Sequence, residues 1–173
     1  IKQNRMRKIF ILLFVLIIAM LQLGIFSNIQ ILSGKIDLLM LGVIAWIIQK
    51  KTVLIDILIY SIITIFFIYL ISAEPVVIIL GLYSLLVFVV FWSKNNIQQL
   101  PIVSMLIFSA IFTFFHLVIF GFYLQLSGIP MVAEEVFQSV ILPSMIINLI
   151  AAIPMYLLVN ELHRWVYPLA EEA

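Results

Sequence analysis

The strongest constraint on this chain is a set of long apolar stretches, residues 9–26, 53–71, 76–92, 102–124 and 136–159. Each is close to or beyond the roughly 20 residues that carry a helix across about 30 Å of hydrocarbon. Composition points to the same solvent. Of 173 residues, 66% are hydrophobic and 10% charged, whereas a soluble domain is about half apolar and about a quarter charged. A sixth run, residues 36–48, is short, about 20 Å as a helix. It must thin the bilayer, start above it, or dip in and return.

Charge selects among these topologies, because Lys and Arg concentrate on the cytoplasmic side. If the short run spans and the N-terminus is inside, the cytoplasmic side holds Lys2, Arg5, Arg7, Lys8, Lys50, Lys51, Lys94 and Arg164, leaving Lys35 outside. If it re-enters, Lys50, Lys51, Lys94 and Arg164 all move outside. The expectation is an all-α polytopic membrane protein, one helical domain over residues 1–173, with six spans and both termini cytoplasmic. Glu74, Glu134 and Glu135 then fall in external loops. The near-zero net charge says nothing of nucleic acid, and the absence of Cys excludes disulfides and thiolate metal sites. The basic N-terminus with its apolar run imitates a signal peptide. The run exceeds the usual h-region and no small-x-small cleavage site precedes "FSNIQ", so it is expected to stay as a first span.

Connections are short. Residues 72–75 predict a tight hairpin between the third and fourth spans, Pro75 and Pro101 suit first helical turns, and Ser127, Gly128 and Pro130 mark a turn in the longest external loop. No internal repeat supports an inverted-repeat transporter.

Polar side chains in a bilayer usually face neighbouring helices or a cavity, so their spacing maps the packed faces. Asp56, Tyr60 and Thr64 recur at i, i+4 and i+8; Ser109, Thr113 and His116 at i, i+4 and i+7; Ser144, Asn148 and Ala152 at i, i+4 and i+8. Three inward stripes are expected. Asp56 is read as shallow enough to reach water or Lys51, in preference to an intramembrane proton or cation site. His116 lacks companions for a zinc site and is expected as a neutral imidazole hydrogen-bonded across helices. Asp37 opens the short second helix, where a carboxylate meets the positive end of the dipole, with Lys35 as its candidate partner. In "ILPSMIINLIAAIPMYLLVNELHRWV", Pro143 falls in the first turns and Pro154 frees the carbonyl of Ile150 and bends the helix, while Asn148 between them is available to bridge to another span. Its replacement by leucine is expected to cost about 1 kcal/mol.

"AEEVFQS" with "FTFFH" is similar to the motifs of intramembrane CAAX-protease-like glutamic peptidases. Ser139 stands where that family has Arg, His116 precedes Glu134 and Glu135 in reversed order, and the glutamates lie in a loop. No Gly-rich phosphate loop or Ser-His-Asp set occurs, so the chain is read as no enzyme, with no cofactor.

Three segments carry a different resemblance. "AMLQLGIF" ends the first span with Gln22, "SGKIDLLMLGVIAWIIQKK" has a polar opening and a basic end, and "LPSMIINLIAAIPMYLLV" carries Pro, a small hydroxyl residue, Asn and a later Pro. Together they resemble the MreD family of bacterial cell-elongation proteins, matching at Gln22, Asp37, Pro143, Ser144, Asn148 and Pro154. The third span keeps Asp56 without the family's glycines, and the fifth has His116 where many members have an acid. The resemblance implies a non-catalytic scaffold in the bacterial cytoplasmic membrane. Its implied partners are an MreC-like single-span protein and, with it, MreB filaments and the elongation peptidoglycan polymerase and transpeptidase. It also implies a fold like the substrate-binding S components of ECF vitamin transporters. An S component is the alternative function, against which stand the few donors in the external loops and the missing AxxxA in "IFILLFVLIIAMLQLGIF"; no tightly bound vitamin is expected, with membrane lipid as the remaining candidate occupant between the inward stripes.

Overall fold

The computed structural model describes residues 2–24, 33–50, 52–94 and 99–167, with side chains from Met6 onward. Lys51, the side chain of Arg5 and residues 25–26 of the first apolar run lie outside the described residues. Regular structure among those described is helical: α1 (Lys2–Gly24), α2 (Leu38–Ile48), α3 (Leu54–Ile71), α4 (Val76–Trp92) and α5 (Pro101–Leu126). Then α6 (Ala133–Val136) runs through a π turn, Phe137–Ile141, into α7 (Leu142–Val166).

Four helices are long and apolar enough to cross a membrane: α1, α3, α5 and the continuous Ala133–Val166 rod. The chain is a multi-pass membrane protein. Instead of six such helices, the structure has these four plus two shorter apolar ones, α2 and α4. The brevity of α2 has a physical reason. Every residue from Leu38 to Ile48 is buried, and the helix touches α1, α3, α4, α5 and α7. A helix that is apolar all round belongs in a core. Its neighbours carry the outer surface, where Val77, Phe88, Ile150 and Trp165 stand exposed.

Successive helices alternate in direction, giving the bundle two ends. One gathers Gln22, Asp37, Glu74, His116 and Ser144; the other gathers Arg7 beside Asp56 and Lys94 beside Thr52. We call these the Asp37 end and the Lys50 end. Two helices outrun their apolar stretches. α1 begins at Lys2 rather than residue 9, and α7 ends at Val166 rather than 159. Hydropathy marks where the solvent changes, not where a helix must stop. In α7 the polar last turns hold an Arg164–Glu161 ion pair at 3.0 Å, with His163 and Arg164 favourably placed at the negative end of the dipole.

The stripe Asp56, Tyr60 and Thr64 is the buried face of α3. Trp46 of α2 stacks on Tyr60, ring centroids 5.2 Å apart. Gly42 makes that approach feasible, because a Cβ there would collide with the Tyr60 hydroxyl and lie 3.3 Å from Ile18 Cδ1.

Candidate functional site

A helix leaves its first N–H and last C=O groups without partners inside itself, and α2 is too deeply buried to give them to water. The polar residues of the bundle solve this problem, and the solution begins one segment earlier.

Residues 33–37 enter α2 as a non-helical strand lying against the start of α7. Pro143 has no N–H to offer the carbonyl four residues before it, which belongs to Ser139. The freed carbonyl accepts the N–H of Ser33 at 3.1 Å. The chain accommodates Pro143 by the π turn, in which Leu142 N–H reaches back to Phe137. One residue further along the strand, Gly34 packs on Pro143 so tightly that an added Cβ would lie 2.8 Å from Pro143 Cβ and 3.0 Å from Ser144 N. Two further donors then find side chains on α7: Lys35 N–H donates to Ser144 Oγ at 2.9 Å and Asp37 N–H to Asn148 Oδ1 at 2.8 Å. Leu39 N–H donates to Gln22 Oε1 of α1 at 3.0 Å. The donors before α2, Ser33, Lys35 and Asp37, fall at every second residue, the period of an extended chain. The acceptors facing them come from Ser139 in the π turn and from Ser144 and Asn148 on successive turns of α7.

Asp37 completes the cap. Its Oδ1 accepts from Met40 N–H at 2.9 Å, and its Oδ2 accepts from the Tyr83 hydroxyl of α4 at 3.3 Å. Asn148 also donates to Thr113 Oγ1 of α5 at 3.2 Å and, more weakly, to the Lys35 carbonyl at 3.4 Å. The expected Lys35–Asp37 ion pair does not form among the described residues; Lys35 contributes its backbone to this frame. His116 of α5 stands beside the cap, with Nε2 2.8 Å from Glu74 Oε2 and Nδ1 3.8 Å from Asp37 Oδ2. Its neighbours are therefore carboxylates, one from the turn between α3 and α4 and one from the α2 cap.

The Lys50 end is finished by similar means. Gln49 Nε2 donates to the Ala45 carbonyl at 3.2 Å, and the Thr52 hydroxyl reaches the carbonyls of Trp46 and Gln49 at 3.0 and 2.9 Å. Lys94 donates to the Thr52 carbonyl at 3.2 Å, and half-burial lowers its ammonium pKa from the usual value. At the same end Asp56 is 1% exposed, which overturns its reading as a carboxylate in reach of water. Its partners are the Tyr167 hydroxyl, which donates to Oδ2, and Arg7, whose Nε lies 3.8 Å away. The Arg7 guanidinium covers the Tyr167 ring, and His163 stacks on its other neighbours, Tyr167 and, edge-on, Trp46. Burial, followed by the hydrogen bond to Asp56, raises the Tyr167 hydroxyl pKa.

The structure thus brings Gln22, Asp37, Thr113, His116, Pro143, Ser144 and Asn148 into one network, with Asp56 and Arg7 at the opposite end and Tyr60 between them. Pro154 stands apart on an exposed face of α7. Lys8 and Lys50 are exposed and take no part. Glu134 bonds Gln138 rather than His116, so the peptidase-like motif is not assembled. Among the described residues no group of three His, Asp or Glu is placed to hold a metal ion, and the carboxylates beside His116 face opposite ring nitrogens. Reading by spacing missed Ser33, Tyr83, Glu74, Thr52, His163 and Tyr167. Only Ser139 had a usable signal, four residues before a proline.

A partly open cavity of about 230 Å³ lies beside the Asp37 cap, between α3, α5 and α7. No protein-family model, curated protein or solved structure matches the chain.

Proposed function

We propose that this protein is a non-catalytic scaffold of the bacterial cytoplasmic membrane, an MreD-like subunit that binds an MreC-like single-span partner within the cell-elongation machinery. The observation that supports this reading is the convergence of Gln22, Asp37, Pro143, Ser144 and Asn148 on one task, seating the N-terminus of α2. These are five of the six residues on which the resemblance rests, and they come from three separate segments. In this reading α2 and α4 also cross, shielded by their neighbours, giving six spans with the Lys50 end in the cytoplasm. Coupling to MreB filaments and to the peptidoglycan polymerase and transpeptidase then runs through the MreC-like partner or the basic Lys50 end.

A substrate-binding subunit of an ECF-type transporter is the second reading, and the 230 Å³ cavity favours it. Against it, Gln22, Ser144 and Asn148 in the cavity wall are already engaged with α2 backbone. Gentle detergent extraction of a tagged copy from its native cells, with mass spectrometry of the co-purifying proteins, separates the two. Recovery of a single-span protein with cell-wall synthases supports the scaffold. Recovery of paired ATPases with a membrane coupling subunit overturns it in favour of the transporter.

A further inference from the structure

The cavity at the Asp37 end presents charged groups beyond those that cap α2, with Asp37 itself shared between the two. An engineered apolar cavity of about 150 Å³ accepts benzene, so 230 Å³ accommodates a group of roughly ten non-hydrogen atoms. Lys35 is an exposed residue on the pocket's rim, and among the described residues neither its ammonium nor Glu74 Oε1 has a hydrogen-bond or ion-pair partner. The 3.8 Å between His116 Nδ1 and Asp37 Oδ2 is too long for a hydrogen bond. The carboxylates are largely buried, Glu74 at 13% and Asp37 at 18% side-chain exposure. Ile68, Ile71, Leu117 and Phe120 form an apolar wall. A simple anion would face two carboxylates, and a simple cation would leave the lysine on the rim to solvent. The pocket lies where Ile71 and Ser72 end α3, the level at which a span meets lipid headgroups.

We propose that this pocket binds the zwitterionic end of a small amphiphile, with an ammonium group against Glu74 and Asp37, an anionic group against Lys35, and the apolar remainder along Ile68, Ile71 and Phe120. Charge-assisted hydrogen bonds to the largely buried carboxylates supply the selectivity. Two sources present this chemistry, the headgroup of an ethanolamine phospholipid and a free apolar amino acid. The proposal does not rest on the scaffold reading. A lipid headgroup is compatible with that reading, whereas a free amino acid retained through purification counts toward the transporter subunit.

The test is thermal unfolding of the purified full chain in detergent, titrated separately with phosphatidylethanolamine, phosphatidylglycerol and free leucine. The expected result is a saturable rise in midpoint with phosphatidylethanolamine or with leucine, the responding probe naming the source. Lys35→Met and Glu74→Gln should each weaken the apparent affinity tenfold or more. Lys35→Met leaves the Lys35 backbone bonds to Ser144 and Asn148 in place, so its unliganded midpoint should match the parent and the loss can be assigned to the ammonium. No saturable rise with either zwitterion, an equal rise with phosphatidylglycerol, or unchanged affinity in Lys35→Met overturns the proposal.

Discussion

Replacing Asn148 with leucine removes an amide that serves three partners at once. It accepts from Asp37 N–H at 2.8 Å, donates to Thr113 Oγ1 at 3.2 Å, and makes a long contact with the Lys35 carbonyl at 3.4 Å. Side-chain hydrogen bonds inside membrane proteins average about 0.6 kcal/mol, with a maximum near 1.7. Two sound bonds and one weak one therefore sum to about 1.5 kcal/mol. The stranded Asp37 N–H, at the part-buried N-cap of α2, adds about 1 kcal/mol, the lower end of the penalty for an unsatisfied buried donor. The total of about 2.5 kcal/mol exceeds the single-bond expectation from the sequence, because one amide holds two helices to the α2 entry. At roughly 2–4 °C per kcal/mol for a chain of this size, the unfolding midpoint should fall by about 5–10 °C. Thr113→Val breaks one of the same bonds and should cost about 0.6 kcal/mol, and the double variant should be less destabilised than the sum by a similar amount. Thermal unfolding of the four proteins in one detergent is the assay. A midpoint for Asn148→Leu within 2 °C of the parent, or strict additivity with Thr113→Val, would refute the capping role.

Gly42→Ala should destabilise strongly, because its Cβ meets the Tyr60 hydroxyl, and Tyr60→Phe in the same chain should restore most of the midpoint, since ring carbon Cζ would lie at an ordinary 3.5 Å. Tyr60→Phe alone should be neutral or stabilising, because that buried hydroxyl has no hydrogen-bond partner among the described residues. The raised Tyr167 pKa means that the folded state holds this proton more tightly than the unfolded state. Its contribution should be complete below the ordinary tyrosine value of 10.0 and should diminish as pH rises beyond it. Midpoints measured from pH 8 to 11 should therefore fall more steeply in the parent than in Tyr167→Phe, and parallel profiles would remove the linkage. Finally, the chain has no Cys, so single cysteines at Lys50, Lys94, Glu74 and Ser127 can report topology through a membrane-impermeant maleimide. Six spans require labelling of the first two from one side and the last two from the other. Labelling of all four from one side would rule six spans out.

Periodicity made the packed faces legible because it is a local property. Ser109, Thr113, Ser144, Asn148, Tyr60 and Thr64 all lie buried, on the stripes their spacing defines. The partners were not legible, since they are set by how the helices pack. Asp56 shows the difference. Its distance from Lys50 along the chain suggested access to water, but α7 continues past its apolar stretch and brings the Tyr167 hydroxyl onto the carboxylate, with Arg7 of α1 closing the other side. His116 shows it too: its bond runs to Glu74, a residue that topology alone assigns to solvent. α1 and α7 outrun the apolar stretches read from the sequence for a related reason, since a helix can leave the apolar region without unwinding.

The short second helix connects these observations. In a bilayer a helix of 11 residues cannot hand its ends to water at both surfaces, so each end must be met by protein. At one end a proline on α7 releases a carbonyl, and hydroxyl and amide groups follow on the next turns of the same face. At the other, Gln49 and Thr52 return to the last carbonyls. The acceptors at the Asp37 end stand on α1 and α7 as well as on α2 itself, so α2 cannot shift along its axis without stranding several donors together. The bundle is therefore registered about a fixed central helix.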